Sequence, residues 1–173
     1  MNEKTCETPD MHRFFNPENI AVIGASSDPD KLGYKTFKNL VDGGFRGGMY
    51  PINISGGEVL GYEARGSVLD VDGEIDLAII SIPARHVASA LEECGEKKIP
   101  FVIIITAGFK EIGNEEGEKE LIDIARKYGI RLLGPNVFGM IYTPASLNAQ
   151  FGPTSILSGK VAIITQSGAL GVA

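Results

Sequence analysis

Five short apolar runs punctuate this chain, and they limit its fold more than any other feature. They are Asn19 to Gly24 (NIAVIG), Met49 to Asn53 (MYPIN), Leu77 to Ile82 (LAIISI), Phe101 to Ile105 (FVIII) and Arg131 to Leu133 (RLL). Most are continuous rather than alternating, the mark of strands covered on both faces, as in a parallel sheet. Between them lie segments of helical period. Tyr34, Phe37, Leu40 and Val41 mark one face of a helix that Gly43-Gly44 ends. Val87, Ala88, Ala90, Leu91 and Cys94 mark a second. Glu115 to Tyr128 opens acidic and closes on Arg126 and Lys127, with Gly129 as its stop, which suits the helix dipole. Ser67 to Val71 reads as a short helical turn, residues 134–158 as loop-rich, and Val161 to Thr165 as a further strand.

Strand–helix alternation of this kind predicts an α/β fold: a doubly wound, mostly parallel Rossmann-like sheet with helices on both faces and right-handed crossovers. A ligand is then expected beyond the carboxyl ends of the strands, where strand order reverses. The 22 glycines of the 173 residues agree, because each strand-to-helix turn calls for small residues. Net charge is −6, which argues against a broad nucleic-acid surface but leaves room for a local phosphate site. Cys6 and Cys94 fit no metal-ligand spacing and point to a reducing compartment. Met1 to Arg13 is polar, and no apolar run approaches the ~20 residues of a membrane span. No metal, membrane or nucleic-acid partner is expected, and the expected location is the cytoplasm.

The strand ends carry the chemistry. After the first strand comes Gly24-Ala25-Ser26-Ser27, then Lys31 and Gly33 before the helix. A dinucleotide fingerprint would place a second glycine where Ser26 stands, so ordinary NAD binding is disfavoured. Serine hydroxyls, a lysine and the free N–H groups of a helix start suit a phosphate. The second strand ends at Asn53 without the acid that holds NAD ribose hydroxyls, leaving room for a phosphorylated ribose. Ile82-Pro83-Ala84 offers an apolar ledge, Thr106-Ala107-Gly108 a hydroxyl and a flexible turn, and Asn136 in LGPNVFG a donor and an acceptor.

Six phrases occur in order: VIGAS…KLGY (22–34), YPIN (50–53), DLAIISIPA (76–84), ITAGFKE (105–111), LGPNVFG (133–139) and ITQSGALG (164–171). From about Phe14 onward the chain resembles the N-terminal part of ADP-forming acetyl-CoA and acyl-CoA synthetases, relatives of the succinyl-CoA synthetase α subunit. The resemblance implies coenzyme A as ligand. It implies phosphate contacts at Gly24, Ala25, Ser26 and Lys31, a groove lined by Ile82-Pro83-Ala84 and Thr106-Ala107-Gly108, and Asn136 near the thiol end. It also implies a partner, an ATP-grasp domain or β subunit. The reaction of the complete enzymes takes acyl-CoA, ADP and phosphate to carboxylate, ATP and CoA through a phosphohistidine. Neither His12 nor His86 matches that histidine, so this chain is expected to bind CoA or acyl-CoA without catalysing. Ser167-Gly168 resembles the start of the helix that steadies the phosphohistidine.

Two departures stand out. Ile54-Ser55 occupies the place of a usual Pro-Lys, removing a cation, and Val137 stands where many members carry cysteine. The expected organisation is a polar segment 1–13, a CoA-binding domain 14–157, and residues 158–173 as the start of a truncated flavodoxin-like ligase domain of a longer protein. Two alternatives remain: the synthetase-like portion of a protein lysine acetyltransferase, and an NAD(P)-binding domain.

Overall fold

The computed structural model describes residues 10–152 and 157–168. Cys6 and the helix expected after Gly168 lie outside the described residues. In chain order the elements are α1 (Met11–Phe15), β1 (Asn19–Ile23), α2 (Leu32–Asp42), β2 (Gly48–Ile52), β3 (Glu58–Val59), β4 (Tyr62–Glu63) and β5 (Leu77–Ile80). They continue with α3 (Val87–Glu96), β6 (Phe101–Ile104), α4 (Glu115–Tyr128), β7 (Arg131–Leu133), β8 (Gly139–Tyr142) and β9 (Leu147–Gln150).

The central sheet has five strands in the order β2-β1-β5-β6-β7, all parallel. Chain direction across the sheet reverses at β1, so the crevice lies between β1 and β5. Register brings Ile23 beside Ile52 and Ile80, and Ile80 beside Ile104, so the strands end level with one another.

Because successive side chains point to opposite faces, each strand feeds two cores. Ala21, Ile23, Ala78, Ile80, Val102 and Ile104 pack under α3 and α4. Ile20, Val22, Leu77, Ile79, Phe101 and Ile103 pack under α2 and the β8–β9 hairpin. The continuous apolar runs follow directly from this burial on both faces. Helix α4 is capped by the Asn114 side chain, which accepts from the Gly117 N–H at 3.0 Å, and it ends at Gly129 in the left-handed region. The predicted turn over 67–71 is a 3₁₀ turn at Val68–Asp70.

Two expectations need correction. Residues 134–158 are not all loop, because β8 and β9 form an antiparallel hairpin there. Its strand pattern is hidden by Asn148 and Gln150, which are polar yet buried. They are satisfied by one another, Gln150 Nε2 donating to Asn148 Oδ1 at 2.8 Å, while Asn39 Nδ2 of α2 donates to the carbonyls of Gln150 at 2.7 Å and Gly152 at 3.0 Å. The second correction concerns Val161 to Thr165, which is irregular and exposed. Among the described residues no strand lies beside it to take up its backbone hydrogen bonds, and β propensity alone does not make a strand.

Candidate functional site

The predicted site residues lie along the C-terminal edge of the sheet, and hydrogen bonds or close packing join most of the strand ends into one seam. Gly24 follows β1 with φ +90°, and a Cβ on it would meet Ile82 Cγ2 at 2.6 Å and collide with the Ser81 carbonyl. Glycine is therefore required twice over, for its backbone conformation and for the close approach of the β1 and β5 ends. Gly33, in the first turn of α2, sits against the Gly24 carbonyl so closely that a Cβ would overlap it. This pair presses the start of α2 onto the crevice.

That helix start is polar and uncapped. Lys31 is its N-cap residue, and no side chain accepts a hydrogen bond from the first turn. The leading N–H groups of an 11-residue helix, with its dipole behind them, face the switch point. Ser26 is buried and shapes the loop by accepting the Asp28 N–H on Oγ at 3.1 Å. Ser27 and Lys31 are exposed, and among the described residues the Lys31 ammonium has no ion-pair partner.

Asn53 acts as a tie. Its Nδ2 donates to the Ala25 carbonyl at 2.8 Å, while its Oδ1 accepts the Ser55 N–H at 2.9 Å. The end of β2 is thereby fixed to the loop after β1. On the other side of the crevice, Thr106 Oγ1 donates to the Ile82 carbonyl at 2.7 Å, and Gly108 packs on Ala84. Asn136 follows the cis Gly134-Pro135 bond, and its N–H donates to the Thr106 carbonyl at 3.0 Å. Its side chain is exposed, whereas Ile82 and Ala84 are half-buried and Pro83 and Ala107 exposed.

Glu111 escaped the sequence reading as a site residue. Its carboxylate accepts the N–H groups of Gly108 and Phe109 and so holds the turn after β6. Backbone hydrogen bonds, that from Gly108 foremost, hold its carboxyl below the ordinary glutamate range. It stands within the ITAGFKE phrase, but only the folded turn reveals its role. His86 is exposed and its Nε2 accepts from Arg85 Nε at 3.1 Å. Cys94 is buried in α3, where desolvation pushes its thiol up and leaves it inert. Among the described residues no group of His, Cys, Asp or Glu is placed to hold a metal ion, and no helix is long and apolar enough to cross a membrane.

The five-stranded parallel sheet, its reversal at β1 and the glycine turns on its C-terminal edge define a Rossmann-like domain of the nucleotide-binding class. More narrowly, the chain belongs to the CoA binding domain family, whose model matches residues 18–143. It is 51% identical over 170 residues to the alpha subunit of acetate–CoA ligase (ADP-forming) I of Pyrococcus furiosus, covering 94% of this chain and 37% of that protein. The 4-hydroxybutyrate–CoA ligase (ADP-forming) of Nitrosopumilus maritimus is 45% identical over 160 residues, covering 90% of this chain and 23% of that one. Among solved structures, the dinucleotide forming acetyl-coenzyme A synthetase 1 of Ca. Korarchaeum cryptofilum, in complex with phosphate and ADP, superposes with a TM-score of 0.92. Its identity is 50%, covering 94% of this chain and 35% of that chain. The chain therefore spans little more than a third, or less, of the length of these relatives.

Proposed function

We propose that this chain is the CoA-binding portion of an ADP-forming acyl-CoA synthetase and binds coenzyme A across the C-terminal edge of its sheet. The observation that carries this reading is the uncapped start of α2, pressed by Gly33 against Gly24 at the point where strand order reverses. A diphosphate placed there receives backbone N–H groups and the positive end of the helix dipole. Gly24, Ala25, Ser26, Ser27, Lys31 and Gly33 form this anchor, and Asn53 positions it through Ala25. The Ile82-Pro83-Ala84 and Thr106-Ala107-Gly108 turns line the path of the ligand's flexible arm. Asn136 lies where the arm ends. When bound, CoA supplies the thiol that carries the acyl group.

The two relatives described above are named for different acids, acetate and 4-hydroxybutyrate, yet both resemble this chain along nine-tenths of its length. A region so alike in both suits what the two reactions share, the CoA, rather than the acid. Conversion of acyl-CoA, ADP and phosphate to carboxylate, ATP and CoA then belongs to the complete protein, with an ATP-grasp domain or β subunit as partner. The domain of residues 14–157 is followed by the start of a second unit at 158–173. The exposed side chains of Val161, Ile163 and Ile164 support this, since an apolar run of that kind suits packing against a further unit.

Calorimetric titration with CoA and with NADH tests the reading. CoA is expected to bind well ahead of NADH. NADH binding that CoA does not displace would overturn it, as would turnover of acyl-CoA, ADP and phosphate by this chain alone for its non-catalytic role.

A further inference from the structure

The loop after β2 is where a doubly wound sheet reads the ribose of its ligand. Here that loop runs Asn53-Ile54-Ser55-Gly56-Gly57 and carries no charge, with Ile54 almost fully exposed. Between Met49 and Ser67 the one lysine or arginine is Arg65. In sequence it lies well past the strand end, but the β3–β4 hairpin turns the chain back. Arg65 then pairs in parallel beside Ile52. Its N–H donates to the Pro51 carbonyl at 3.0 Å, and its carbonyl accepts the Asn53 N–H at 2.8 Å. Arg65 thus stands about 4.8 Å, one strand spacing, outside β2 and level with its last residue. Asn53 in turn holds Ala25, so the backbone of Arg65 is two hydrogen-bonded steps from the phosphate loop.

The side chain is free to act. It is 46% exposed, and among the described residues its ion-pair partner is Glu63 at 3.2 Å, itself 73% exposed. An exposed pair of this kind is weak and easily exchanged. A guanidinium offers a phosphate a planar fork of donors that a lone ammonium cannot match.

We propose that Arg65 recognises a phosphate monoester on the ligand's ribose, the 3′-phosphate if the ligand is CoA, and so supplies the charge that Ile54-Ser55 lacks. The proposal rests on the CoA reading above but can fail separately from it. Glu63 holds the guanidinium until the phosphate displaces it.

The test compares CoA with dephospho-CoA, by calorimetry at low ionic strength, on the unaltered chain and on Arg65→Ala, Arg65→Lys and Glu63→Gln. The unaltered chain is expected to prefer CoA. Arg65→Ala is expected to lose about tenfold in CoA affinity while dephospho-CoA binding stays put, so that the preference collapses. Arg65→Lys keeps part of the preference and serves if the alanine variant does not fold. Glu63→Gln is expected to tighten CoA several-fold and leave dephospho-CoA unchanged. Equal loss of both ligands in Arg65→Ala would mean that Arg65 only holds the hairpin, and a preference that survives its removal would place the phosphate elsewhere; either overturns the proposal. If the unaltered chain binds both ligands equally, Arg65 recognition fails while CoA binding stands. If it binds neither, the CoA reading fails and takes this proposal with it.

Discussion

At the N-terminal end of the sheet the Asp76 carboxylate, only 4% exposed, is wrapped in donors from its own chain. The N–H groups of Glu18 and Asn19 donate to Oδ2 at 2.7 and 2.9 Å, and Arg13 of α1 donates to Oδ1, with Nε at 2.8 Å. At the C-terminal end, by contrast, α2 begins with no side-chain cap, and Ser27, Lys31 and Asn136 are exposed. One edge satisfies its polar groups internally, whereas the other joins its turns mainly through glycine contacts and a few ties and leaves donors open. A self-satisfied edge can only stabilise; an edge with open donors can also bind. Stability is therefore separable from ligand recognition at the N-terminal end, where a substitution should change stability alone, whereas one at the C-terminal end should change CoA affinity as well.

The sharpest way to break the binding edge is Gly33→Ala, whose Cβ would overlap the Gly24 carbonyl. Backbone cannot yield there as a side-chain tip would, so a loss of about 3 kcal/mol in denaturant unfolding is expected, together with loss of detectable CoA binding. Normal CoA affinity in this variant would disconnect α2 from the ligand. Asp76→Ala attacks the opposite edge. It strands the N–H groups of Glu18 and Asn19 and leaves Arg13 without its main partner, so roughly 2 kcal/mol of stability should go while CoA affinity holds. A matching fall in affinity would show the two edges to be coupled. Asn53→Ala is milder, costing about 1 kcal/mol through the lost bonds to Ala25 and Ser55 and weakening CoA several-fold.

The smallest effect concerns pH and Glu111. Its folded-state pKa is depressed by backbone N–H donors, so its contribution is present above the unfolded-chain value and lost as pH falls through the folded one. NMR titration should find Glu111 ionising below the ordinary glutamate range, with the Gly108 and Phe109 amides shifting in step. Amides that ignore its titration would remove Glu111 from the turn.

Much of the architecture could be read without the structure, and the reasons are specific. Strands such as Leu77–Ile80 are buried on both faces, so nearly every position must be apolar and the run is unmistakable. Glu115–Tyr128 carries its own start and stop signals in its charges and in Gly129. The β8–β9 hairpin escaped because Asn148 and Gln150 are satisfied within the buried network reaching Asn39 of α2, far away in sequence. Val161 to Thr165 misled in the opposite sense, having strand composition but no described neighbour.

For the site, sequence alone located the strand-end turns, since glycine, proline and small polar residues are what a chain needs to turn from strand to helix. Only the tertiary structure decided how those turns serve one another: that Asn53 reaches Ala25, that Thr106 reaches Ile82, and that a two-stranded hairpin returns Arg65 to the end of β2. The difference is physical. Backbone preference and burial act residue by residue and leave a local pattern, whereas a contact between distant segments exists only once the sheet has closed and set its register.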